Sequence, residues 1–99
     1  MDSIQPAILI VDDEKHTRDG LGRLLENDYD VYVASDIASA MNVLEREQID
    51  LLLTDLRLGA EDGMQLIDRA LKMPQPPICV MVFDKIKLTY RSPKALGIT

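Results

Sequence analysis

At 99 residues the chain is one small domain, and its 46% hydrophobic content is enough for a packed core rather than wholesale disorder. Seventeen acidic against eleven basic residues leave a net charge of −6. That excludes the basic footprint needed to bind nucleic acid through its phosphates, and suits cations and basic protein surfaces instead. The start, Met1 to Pro6, lacks a basic signal region, and no apolar run approaches the roughly 18 residues of a membrane span. A soluble cytoplasmic protein without membrane or direct nucleic-acid contact is expected.

Ala7 to Val11 is an unbroken apolar run that stops at Asp12-Asp13-Glu14, the pattern of a strand buried on both faces with its carboxyl end in water. Leu21, Leu24 and Leu25 share one helical face and predict a helix near His16 to Asn27, weakened by Gly20 and Gly22. Asp30 to Ala34 reads as a second strand. Ser35 or Asp36 then caps a helix with Ile37, Ala40, Met41 and Leu44 inward. Asp50 to Thr54 is a third strand, again ending on an aspartate, Asp55. Leu56 to Asp62 is expected as a loop with Gly63 supplying its turn, before a short helix marked by Met64, Ile67 and Leu71. Pro74, Pro76 and Pro77 end that helix ahead of a fourth strand, Ile78 to Val82. The alternation β-α-β-α-β-α-β implies a parallel sheet with helices on its faces.

Composition then changes. Residues 1–82 carry a charge of −9, whereas residues 83–99 carry +3. The latter segment lacks helical periodicity, and only Ile86, Leu88 and Tyr90, alternating with Lys87 and Thr89, hint at a strand. Two domains of description follow: 1–82, and a divergent tail over 83–99.

In an open parallel sheet, ligands bind beyond the carboxyl ends of the strands. If the first and third strands are neighbours, Asp12, Asp13 and Asp55 meet there, and like charges so crowded call for a cation. Oxygen ligands without Cys or His point to Mg²⁺ rather than zinc. Mg²⁺ uses one or two carboxylates plus a phosphoryl oxygen, leaving one carboxylate as a nucleophile toward phosphorus. Acidic residues at strand ends are often just solvated turn residues, so each aspartate taken singly is the weaker signal; the joint pattern is the sharper one.

The segments Ile8-Leu9-Ile10-Val11-Asp12-Asp13-Glu14 and Leu51-Leu52-Leu53-Thr54-Asp55-Leu56-Arg57-Leu58, followed by Asp62-Gly63-Met64, resemble the receiver domain of response regulators. The wording is most similar to receivers of NtrC-type transcriptional activators. The resemblance implies a flavodoxin-like (CheY-like) doubly wound α/β fold with strand order 2-1-3-4-5, incomplete at its C-terminal end. It implies Asp55 as the phosphoacceptor, with Mg²⁺ held by Asp13, Asp12 (directly or through water), Asp55 and the backbone carbonyl of Arg57. A sensor histidine kinase is the implied partner, and a role in transcription regulation by phosphorelay the implied setting.

Departures from the family pattern accompany it. Receivers carry Thr or Ser at the end of the fourth strand, where this chain has Phe83. They carry a Lys-Pro pair after the fifth strand, whereas here Lys94 follows Pro93. The resemblance stops at Val82, as truncation with an unrelated, frameshift-like tail would produce. Phosphorylation is expected to be slow, with no lysine near the transferring group. The fourth strand becomes an edge, part of the face beside Ile8, Ile10 and Leu52 loses helical cover, and self-association as a dimer is expected, a need that fold-back of Ile86 to Tyr90 as a substitute edge would lessen. The alternative function is a non-switching pseudo-receiver acting as an interaction or dimerisation module. An aspartate-nucleophile phosphatase is disfavoured, because its second Asp would fall where Arg57 stands, so no enzyme is expected. His16 reads as a surface residue, Cys79 as a buried thiol, Met41, Met64 and Met81 as core, and Lys85, Lys87, Arg91 and Lys94 as a solvated basic tail.

Overall fold

The computed structural model describes residues 4–83 and 86–91. Lys85, Lys94, and positions 92–99 of the expected tail lie outside them. The element order is β1 (Ala7–Val11), α1 (Lys15–Leu25), β2 (Asp30–Ala34), α2 (Ile37–Arg46), β3 (Leu51–Asp55), β4 (Arg57–Leu58), β5 (Glu61–Asp62), α3 (Gly63–Leu71), β6 (Ile78–Phe83) and β7 (Ile86–Tyr90). A five-stranded sheet has the order β2-β1-β3-β6-β7, parallel except for β7, which runs antiparallel to β6. This is the doubly wound order expected, with a hairpin strand in the last place. Among the described residues no helix is long and apolar enough to cross a membrane.

The core lies between the sheet and the face carrying α2 and α3. It unites Leu9, Val11, Leu52, Cys79 and Met81 from the strands with Ile37, Ala40, Met41, Leu44, Leu66, Ile67 and Ala70 from the helices. The helical stripe of α2 matches its predicted inner face, with Val43 added. For α3 the fully inward positions are Gly63, Leu66, Ile67 and Ala70, while Met64 and Leu71 pack at the margin. Burying each such Leu or Ile contributes about 1.5–3 kcal/mol. Asp36, not Ser35, caps α2: it accepts the Ser39 N–H at 2.8 Å while the Ser39 hydroxyl reaches back, closing a capping box. Glu14 caps α1 by accepting the His16 and Thr17 N–H groups, which holds its carboxyl below the usual range.

Three local expectations are corrected. Ile78 to Val82 is not an edge: β7 pairs along it from Cys79↔Tyr90 to Phe83↔Ile86, so the fold-back of Ile86 to Tyr90 is what occurs. Leu52 does not share a face with Ile8 and Ile10. The register Leu9↔Leu52 puts it in the α2–α3 core, and Leu51 and Leu53 stand beside Ile8 and Ile10 instead. The stretch after Asp55 is not a plain loop with its turn at Gly63. It folds into the antiparallel β4–β5 ladder, whose turn glycine is Gly59 at φ +66°. Gly63 has another reason to be glycine. A Cβ there would collide with the Asp55 carbonyl, and the bare backbone instead lets the Gly63 N–H donate to the Leu56 carbonyl at 2.6 Å.

Among the described residues the opposite sheet face carries α1 alone. None of its residues is fully buried, and Leu24 is 76% exposed. An apolar groove of about 660 Å³ remains between α1 and the sheet, running past Leu51, Leu53, Val80 and Val82 to the carboxyl ends of β1 and β3.

Candidate functional site

β1 and β3 are direct neighbours in the sheet, with Val11 opposite Thr54. Their carboxyl ends therefore deliver Asp12, Asp13 and Asp55 to one place, as anticipated. One oxygen from each lies within 4.8 Å of the others. Asp12 is buried, Asp55 half-buried and Asp13 exposed. Burial, and then the charges of Asp55, Asp13 and Glu14, push the Asp12 carboxyl up from its ordinary 3.8, against the pull of the Glu14 N–H it accepts.

The supporting contacts were not visible in the sequence. Asp12 Oδ1 accepts the Glu14 N–H at 2.9 Å, and the Arg18 guanidinium donates to the Asp12 backbone carbonyl at 2.8 Å. Asp13 Oδ2 accepts the Gly59 N–H at 3.0 Å, which ties the β4–β5 turn to β1 across 46 positions of sequence. Buried Thr54 directs its hydroxyl to the Asp55 carbonyl at 3.0 Å. Among the described residues these bonds occupy one oxygen of Asp12 and one of Asp13 and neither of Asp55. The remaining oxygens converge as an all-oxygen set, the donor chemistry that a hard divalent cation takes. Arg57 opens β4 two residues beyond Asp55.

Lys87 of β7 lines the same groove as Asp12, Asp13 and Asp55. His16 is exposed, as expected. Cys79 is buried, its thiol pushed up to about 12 by desolvation. Neither takes part in the cluster.

Comparison with known proteins adds a family to this geometry. The model of the response regulator receiver domain matches residues 8–92, ten residues past the position where the motif resemblance ended. The Sensory transduction protein LytR of Streptococcus agalactiae is 37% identical over 78 residues, 74% of this chain and 32% of that protein. The Transcriptional regulatory protein GlrR of Escherichia coli is 39% identical over 82 residues, 80% of this chain and 18% of that protein. The chain thus spans less than a third of the length of these relatives. Among solved structures, a CheY-like receiver from Methanospirillum hungatei superposes with TM-score 0.74 at 29% identity, covering 79% of this chain and 63% of that one. The Chemotaxis response regulator CheY4 of Vibrio cholerae superposes with TM-score 0.77 at 21% identity, covering 97% and 83%; it bears on the fold alone.

Proposed function

Because the chain belongs to the response regulator receiver family, we propose that it accepts a phosphoryl group on Asp55 from a sensor histidine kinase in a Mg²⁺-dependent phosphorelay. The observation that carries this is the meeting of three carboxylates, at the ends of adjacent strands, with oxygens within 4.8 Å. Asp55 is the nucleophile: its half-buried carboxylate is unengaged by hydrogen bonds among the described residues and faces the groove. One Asp55 oxygen bonds to phosphorus as the bond from phosphorus to the donor nitrogen breaks, and that electron pair leaves with the imidazole. Asp12, Asp13, Asp55 and the Arg57 backbone carbonyl would hold Mg²⁺, which when bound neutralises charge on the phosphoryl oxygens. Arg18 and Gly59 fix Asp12 and Asp13 from behind. A module of this kind signals rather than turns over substrate, and its relatives include transcriptional regulators.

The reading extends to domain organisation and association. The receiver portion is assigned to 1–82 and the divergent tail to 83–99, of which residues 83–92 still fall within the family match and β7 closes the edge of β6. A second copy of the chain is the proposed occupant of the outer edge of β7, where an antiparallel β7–β7 pairing would extend the sheet. The non-switching interaction module remains the second reading, favoured by the antiparallel β7, since the partly parallel sheet then ends in a hairpin rather than another crossover.

The test is incubation with a small acyl phosphate, with and without Mg²⁺, followed by intact-mass spectrometry. One phosphoryl adduct, dependent on the metal and absent in Asp55→Asn, is expected. An adduct at wild-type yield in that variant would move the acceptor elsewhere.

A further inference from the structure

Resting on the assignment of Asp13 to metal binding and Asp55 to phosphotransfer, we propose that Glu61 is a positioning residue for that reaction. It fastens the β4–β5 hairpin to the N-terminus of α2, so that the hairpin tip holds Asp13 in place. Two hydrogen bonds make the case. Glu61 Oε1 accepts the Ile37 N–H of α2 at 3.1 Å, across 24 positions of sequence, and the Gly59 N–H donates to Asp13 Oδ2 at 3.0 Å. Both start from the same tip: Leu58 pairs with Glu61, and Gly59-Ala60 is the two-residue turn between them. A glycine at positive φ in the first place of such a turn is what a tight hairpin requires.

The tip needs such a fastening. A ladder of two residue pairs is too short to be stable alone. Its root is fixed, because β4 follows closely on β3 and Asp62 caps α3 by accepting the Met64 N–H at 2.8 Å. Farther out, Leu58 is buried, but Ala60, Glu61 and Asp62 are exposed, so the returning strand has no buried side chain to hold it. The α2 end is the rigid partner: Asp36 and Ser39 close a capping box there, and Ile37 is buried in the core. The Ile37 N–H is a first-turn donor that no carbonyl of its own helix can reach, and a carboxylate is favoured at that positive end of the helix. Glu61 therefore joins a fixed body to a weak one. The consequence falls on Asp13, which is exposed and, among the described residues, accepts the Gly59 N–H alone. With Gly59 seated, the Asp13 carboxylate keeps an oxygen within 4.8 Å of those of Asp12 and Asp55. With the tip adrift, a metal must first order that side chain, at a cost in entropy.

The experiment compares wild type with Glu61→Ala, Glu61→Gln and, as a loss of charge elsewhere on the exposed side of α2, Glu45→Ala. Amide hydrogen exchange in chelator is read at Gly59 and Ile37, with Leu9 and Leu52 as core references. Mg²⁺ affinity is measured by calorimetry with the metal alone, and labelling of Asp55 by acetyl phosphate by intact mass. In Glu61→Ala the Gly59 and Ile37 amides should exchange about tenfold faster while Leu9 and Leu52 keep wild-type protection. Mg²⁺ affinity should fall about fivefold, less than the 10–100-fold usual for removing a direct partner of a metal ligand. Labelling should slow to the same extent at low Mg²⁺ and recover at saturating Mg²⁺, the mark of a residue that acts through the metal site. Glu61→Gln keeps an oxygen to accept the Ile37 N–H and should stay within about twofold of wild type, as should Glu45→Ala. Unchanged Gly59 exchange in Glu61→Ala overturns the inference, as does a Glu61→Gln as impaired as Glu61→Ala, since charge alone would then be at work. Loss of protection at Leu9 and Leu52 overturns it too, because Glu61 would then support the whole fold. Absence of any label on Asp55 in wild type overturns the phosphoacceptor reading and the role in transfer, whereas exchange in chelator still decides by itself whether Glu61 holds the tip.

Discussion

Replacing Asp12 with asparagine should stabilise the metal-free protein. Asp12 is buried with Asp13 and Asp55 oxygens within 4.8 Å. At that separation each repulsion is worth about 0.9 kcal/mol even at the dielectric of water, so the two together approach about 2 kcal/mol. Asparagine keeps an oxygen to accept the Glu14 N–H that Asp12 Oδ1 now accepts, so the change removes charge without orphaning a donor. With mutual adjustment of exposed Asp13, a gain of about 1–2 kcal/mol is expected in chelator at low ionic strength. Urea unfolding should then show a midpoint raised by roughly 1 M. The gain should shrink in 1 M salt, where the screening length is about 3 Å. It should also reverse in millimolar Mg²⁺, which binds the wild-type native state more tightly and stabilises it by mass action. A variant no more stable than wild type in chelator and low salt would refute the claim that these carboxylates repel one another in the folded chain.

The same variant carries a pH signature. Asp12 is raised above its ordinary 3.8 by burial and neighbouring carboxylates, so its ionisation opposes folding in full above the raised value and not at all below about 3.8; the advantage of Asp12→Asn, followed by thermal melts, should fade across that window as pH falls. Gly63→Ala should cost about 2–3 kcal/mol, since the new methyl meets the Asp55 carbonyl rather than a side chain that could rotate away. It should also weaken phosphorylation by displacing Asp55, whereas unchanged unfolding would contradict the close approach. Leu66→Ala, at a fully buried site in α3, should cost about 2–5 kcal/mol by the same unfolding measurement. Sedimentation at micromolar concentration should show a dimer if β7 edges pair, and a monomer at all concentrations would remove that proposal.

Much of the sheet was legible because β1, β3 and β6 are short apolar runs cut off by charge or proline, and because each helix between them carries a clear inner stripe. The acidic cluster was legible for a related reason: once strands are assigned, topology alone puts their carboxyl ends together. Leu52 was misplaced because Leu51-Leu52-Leu53 is apolar at every position, so no alternation tells one face from the other. Gly59 and Gly63 were confused because a sequence shows that glycine is present, not whether φ or close approach demands it. Lys87 was passed over as a tail residue, since its relation to Asp55 exists only through two successive registers, the second antiparallel. The Asp13–Gly59 tie, spanning 46 positions, has no local signal at all.

The hairpin that ends the sheet also bears on the order in which the sheet can assemble. Every parallel pairing here waits on a crossover: Ala7 must find Asp30, Ile8 must find Leu51, and Leu51 must find Ile78, each with a helix formed between. Closing such loops costs entropy before any contact rewards it. Phe83 and Ile86, by contrast, meet across two residues, and hairpins close in about 1–10 μs. β6 and β7 can therefore pair before the rest of the sheet exists. The row that holds Val82 and Lys87 is then set early, and Asp55 joins it only when β3 docks.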